Sequence, residues 1–127
     1  MQDRPLTPAT TYPEIVGGVL AQLRNQAGLR QEPLAQALGI TQATLWRIEK
    51  GQSSITVEHL RLAAHRLGST PSQILSYADQ TELSMHSQGI LVTATCDDEN
   101  LQKTMVLIGA AALLAMIVAV IASSQKG

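Results

Sequence analysis

Aromatic residues are scarce: one Trp, two Tyr and no Phe in 127 residues. A core of stacked rings is thereby excluded. Packing falls to Leu, Ile, Val and Ala, the aliphatic residues that fill protein interiors. A single cysteine, Cys96, excludes an intramolecular disulfide. No His or second Cys stands near it at ligand spacing, so it reads as a reduced thiol. Net charge is only −1, so no overall field draws the chain to polyanions. A secretory leader is not expected, because MQDRPLTPATTYP carries an acid, three prolines and no apolar run. Chemistry is also thin. His59, His65 and His86 are scattered, and the first two lie off the i, i+4 spacing of a helical metal pair. Gly17-Gly18 falls inside a helical pattern and cradles no phosphate. Neither an enzyme activity nor a metal or other cofactor is expected.

What is present is uneven. Residues 13–78 hold six basic residues (Arg24, Arg30, Arg47, Lys50, Arg61, Arg66) against four acidic ones, whereas residues 79–104 hold five acids and Lys103 alone. A mildly basic domain therefore precedes an acidic stretch, an asymmetry compatible with nucleic-acid binding. Residues 1–12 read as a flexible arm, with Pro5 and Pro8. Helix 1 is predicted from about Pro13, with Val16, Leu20, Leu23 and Ala27 at helical spacing and Gly28 as the stop. Gly17 and Gly18 weaken it by about 1 kcal/mol each relative to Ala.

Helix 2 is predicted over about Gln31–Leu38, with Leu34, Ala35 and Leu38 inward and Gly39 supplying the turn. Thr41 caps helix 3, which runs to about Lys50 with Leu45 and Ile48 inward. Gly51 ends it, and Gln52–Ile55 form a loop. Thr56 caps helix 4, whose stripe is Leu60, Ala63, Ala64 and Leu67. Thr70-Pro71-Ser72-Gln73 has the form of a capping box and opens a short helix 5 carrying Ile74 and Leu75. Residues 79–104 lack helical periodicity and read as a polar acidic linker. Gly89–Thr93 has strand composition but no evident partner.

Met105 to Ala122 is 18 residues without a charged or strongly polar side chain. At 1.5 Å per residue such a helix is roughly 27 Å long, near the thickness of a bilayer core. Lys103 and Lys126 flank it as interfacial anchors. The sequence therefore predicts a transmembrane helix over 105–122, a short tail over 123–127, and a five-helix all-α domain over 13–78 held on the cytoplasmic face of a membrane. Ala111, Ala115 and Ala119 recur at four-residue spacing, a face that allows close helix approach and homodimerisation in the bilayer.

Leu23-Arg24, Gly28-Leu29, Gln31, Leu34-Ala35, Leu38-Gly39-Ile40-Thr41, Ile48-Glu49 and Gly51 resemble the Cro/C1-type (XRE) helix-turn-helix pattern. His59-Leu60 through Ile74-Leu75 resemble that family's helices 4 and 5. The resemblance implies a lambda-repressor-like fold and double-stranded DNA as partner. Arg24 and Glu49 match a structural ion pair that pins the recognition helix to helix 1. Gln31 matches a residue that bonds phosphate and braces that helix. Gln42 matches a base-reading position, where the amide can bond adenine bidentately in the major groove.

Thr41, Ala43, Thr44, Trp46 and Arg47 occupy the adjacent positions on the predicted DNA face. Arg47 reaches guanine or phosphate, and Thr44 reaches phosphate or a thymine methyl. Lys50 and Ser53 are placed to touch backbone, which positions the protein without specifying sequence. Two functions follow. One is a membrane-anchored DNA-binding regulator. The other is a tethered adaptor whose helix-turn-helix face, with Trp46 as an anchor, docks a protein partner, as in cell-shape proteins of the RodZ type.

Overall fold

The computed structural model describes residues 7–94, 105–107 and 109–125. Strand β1 (Thr7–Thr11) leads into α1 (Tyr12–Gln26), α2 (Gln31–Leu38), α3 (Gln42–Glu49), α4 (Val57–Arg66) and α5 (Pro71–Ser87). Strands β2 (Leu91–Thr93) and β3 (Met105–Leu107) and helix α6 (Ala110–Gln125) complete the described chain.

The helix starts follow from threonines. The hydroxyls of Thr11, Thr41, Thr56 and Thr70 accept from the backbone N–H groups of Glu14, Thr44, His59 and Gln73 at 3.0–3.1 Å. Each satisfies a donor that the first helical turn leaves orphaned. Between α2 and α3 the chain reverses at Gly39, whose φ of 71° is a left-handed conformation open to glycine at little cost.

The core gathers Leu20, Leu34, Leu45, Ile48, Leu60, Ala63 and Ile74 from α1 to α5. Helix α1 is its axis, packing on α3, α5 and α6. Its buried set is Ile15, Val16, Gly17, Val19 and Leu20, broader than the single stripe the periodicity predicts. The two glycines explain how it is so crowded. A Cβ on Gly17 would press on the backbone carbonyls of Ile48 and Glu49, and one on Gly18 would lie 2.5 Å from Ile117 Cδ1. Together they let α3 and α6 approach closely.

Four features depart from the sequence expectations. Residues 7–11 of the expected arm are the central strand of a three-stranded parallel sheet, order β2-β1-β3, with Thr10 opposite Val92 and Pro8 opposite Val106. Residues 1–6 of that arm lie outside the described residues. The linker expected over 79–104 is ordered at its start. Helix α5 runs on to Ser87 because Thr81 and Met85 continue its buried face, and β1 is the partner that Leu91–Thr93 lacked in the sequence reading. Residues 95–104, including Cys96, lie outside the described residues.

The predicted transmembrane helix over 105–122 is not what the structure shows. Met105–Leu107 are extended beside β1, and α6 has 16 residues, about 24 Å at helical rise. Among the described residues no helix is long and apolar enough to cross a membrane. Instead α6 packs on α1 and α5, burying Leu113, Ile117 and Ile121. The small domain buries one face of the apolar helix and leaves the rest open. Ala111, Ala115 and Ala119, the expected packing face, are exposed. Among the described residues the fold is thus a five-helix domain with a sixth helix packed on it and a small sheet.

Candidate nucleic-acid interface

Helix α3 divides cleanly. Leu45, Ile48 and Glu49 face inward, while Gln42, Ala43, Trp46, Arg47 and Lys50 are exposed. The outward set is one amide, one alanine, one aromatic and two cations, without an acid. Such a face can donate to base edges and to phosphate.

Beneath it lies a polar brace. Glu49 is 7% exposed, and an isolated carboxylate at that depth would be costly. Its oxygens instead accept from Arg24 Nε at 2.7 Å and Nη2 at 3.0 Å. Gln31 Nε2 adds a third bond to Glu49 at 2.9 Å. Arg24 Nη1 donates to the Leu29 carbonyl at 2.9 Å, fixing the α1–α2 turn as well. The fork geometry makes this a charge-assisted, bidentate contact. Gln42 Nε2 donates to Gln31 Oε1 at 3.3 Å. A continuous chain of bonds therefore runs from Arg24 in α1 through Glu49 and Gln31 to Gln42 at the start of the exposed helix. It ties the exposed Gln42 amide back to α2.

The remaining candidates sit around this line. Thr41 is committed to capping, and its hydroxyl is also 2.9 Å from that of half-buried Thr44. Thr44 therefore offers less free surface than its neighbours. Trp46 is 43% exposed, with Lys50 Nζ 6.0 Å from its ring centroid, the outer range of a cation–π contact. The backbone N–H groups of Gln52 and Ser53 both reach the Arg47 carbonyl, at 2.8 and 3.4 Å, closing the C-terminal end of α3. Ser53 is half-buried beside that end.

Two features of the surroundings are not apparent from sequence. Glu14, at the start of α1, is pushed up in pKa by burial, partly offset by a bond from Thr10 Oγ1 at 2.9 Å. A Cβ on Gly51 would lie 2.5 Å from the Glu14 Cα, so the close of α3 rests on the opening of α1. Tyr12 donates to Asp79 Oδ1 at 2.7 Å, tying α1 to α5. Burial is the larger of the causes that raise the phenol pKa, ahead of Asp79. The Glu14–Gly51 and Tyr12–Asp79 contacts have no local motif; each joins elements far apart in sequence.

The Helix-turn-helix family profile matches residues 20–74. Among solved structures, the clp gene regulator ClgR from Corynebacterium glutamicum is similar, with a TM-score of 0.58 and 25% identity over 61% of this chain and 82% of that one. A second crystal structure of that regulator gives a TM-score of 0.51 and 26% identity, covering 60% of this chain and 92% of the other. No curated protein matches the chain. The match places a helix-turn-helix over residues 20–74, the segment that holds the braced and outward-facing α3.

Proposed function

We propose that the protein is a DNA-binding transcriptional regulator that lays α3 in the major groove. The observation that carries this is the pairing of an exposed, acid-free face on α3 with a buried brace that ends on Gln42. Gln42 reads adenine and Arg47 reads guanine or phosphate, while Lys50 and the Ser53 loop hold the backbone. The likeness to a clp gene regulator supports the reading. Selection from random duplexes by the full-length protein tests it. A recurring motif whose binding weakens steeply with salt is the expected outcome; recovery of unenriched sequence contradicts it.

The finer part of the proposal is attachment to a membrane through 105–122, the uncharged run between Lys103 and Lys126. DNA would then be bound at the bilayer. A second reading, docking of a protein on α3, has Trp46 in its favour, because a large exposed aromatic is a common binding anchor. Nuclease-treated pull-down with full-length protein separates the two: a partner retained by wild type and lost by Trp46→Ala, with no DNA motif selected, favours docking.

A further inference from the structure

Helix α6 is unlike the other helices of its own domain. Helix α4 turns Glu58, Arg61, His65 and Arg66 to solvent. Along α6 the exposed positions Ala111, Leu114, Ala115, Val118, Ala119 and Ala122 carry no polar side chain, and the first polar residue is Ser123. A docked surface helix gains nothing in water from such a face; an amphipathic helix would put charge there. Lipid suits every side of it.

Docking nevertheless has its own fitted seat. Leu113, Ile117 and Ile121, four residues apart, are buried on α1 and α5, and Gly18 leaves the space that Ile117 Cδ1 occupies. Three side chains cannot occupy this seat and the bilayer at once.

We propose that the segment 105–122 exchanges between this docked form and a form inserted in a lipid bilayer. The proposal rests on the membrane reading above and adds that the anchor is conditional. Release of α6 and β3 would let the whole run become one helix of roughly 27 Å. Lys103 and Lys126 bracket that run and can snorkel to the two interfaces, while Asp97, Asp98 and Glu99 lie before it. The occupant is therefore lipid, in preference to a second copy of the chain.

The test uses the full chain in a Cys96→Ser background carrying Gly18→Cys and Ile117→Cys, with flotation on phosphatidylglycerol–phosphatidylethanolamine vesicles. The expected result is disulfide formation without vesicles, flotation of the reduced protein, and at least tenfold less flotation of the oxidised protein, restored by reductant. Equal flotation of both forms overturns the exchange. So does failure of the disulfide to form when the reduced protein floats, which leaves the membrane reading standing. No flotation of either this variant or the unaltered chain overturns the membrane reading itself. A second variant, Ala115→Glu with Ala119→Glu, alters positions exposed in the docked form. It should keep the unfolding midpoint and lose flotation; retained flotation contradicts insertion.

Discussion

Gly17 in α1 and Ile48 in α3 are in backbone contact: a Cβ on Gly17 would press on the Ile48 carbonyl oxygen and stand 2.8 Å from that of Glu49. The end of the recognition helix is seated on a position where no side chain fits. Gly17→Ala should therefore cost about 3 kcal/mol, the upper end of the overpacking range, despite the better helix propensity of alanine. Gly18→Ala meets only the flexible end of Ile117, and its helix gain of about 1 kcal/mol should leave it near wild type. Denaturant midpoints of the two variants check the contrast.

Removing one partner of the Arg24–Glu49 pair should be worse than removing both. Glu49→Leu or Arg24→Met alone leaves an uncompensated charge in a mostly buried site, at a cost of about 3–5 kcal/mol. The double variant Arg24→Met with Glu49→Leu should lose less than the sum. A double-mutant cycle by urea unfolding measures the coupling.

Glu14 gives the stability a pH dependence of defined sign. Burial raises its pKa above the ordinary carboxylate value. The folded chain then holds the proton to higher pH than the unfolded chain does. This contribution is fully present in acid and falls as pH climbs from the ordinary carboxylate range through the raised value. Glu14→Gln should flatten that part of the profile, as followed by midpoints across the acidic range.

Truncation to residues 13–78 should be clearly less stable than the chain from 7 to 94. It removes β1, which holds β2 in register, and it removes Thr81, Met85 and Ile90 from the buried set. Thermal unfolding of the two fragments compares them directly.

These results also mark what was legible in the sequence. Local chemistry was: Thr41, Thr56 and Thr70 announce helix starts because capping needs only a hydroxyl three residues from an orphaned N–H. The inward set Leu34, Ala35, Leu38, Leu45 and Ile48 followed from period alone. Tertiary demand was not legible. Gly17 and Gly18 looked like weak points in a helix, because nothing local says that the α3 backbone packs on Gly17 or that the tip of Ile117 lies over Gly18. Leu91–Thr93 looked unpartnered because its partner β1 lies some 80 residues earlier in the chain. Met105–Ala122 has the composition of a membrane span, and composition is blind to a seat on α1 and α5. At the interface, Gln42, Ala43, Trp46 and Arg47 are exposed as expected and Thr44 is half-buried; the resemblance implied that Gln31 braces α3, and the structure supplies the partner, Glu49, which the sequence did not name.

The central claim is that a braced Gln42 and an exposed Arg47 specify sequence in DNA. Its most direct measurement is the affinity of full-length protein for its selected duplex and for a scrambled one, across a salt series. Gln42→Ala with Arg47→Ala should bind the selected duplex at least about 30-fold more weakly, since each base contact is worth about 1–3 kcal/mol, and should no longer prefer it to the scrambled one. Unchanged preference in that variant, or no DNA affinity of the wild type even at low salt, would contradict the account.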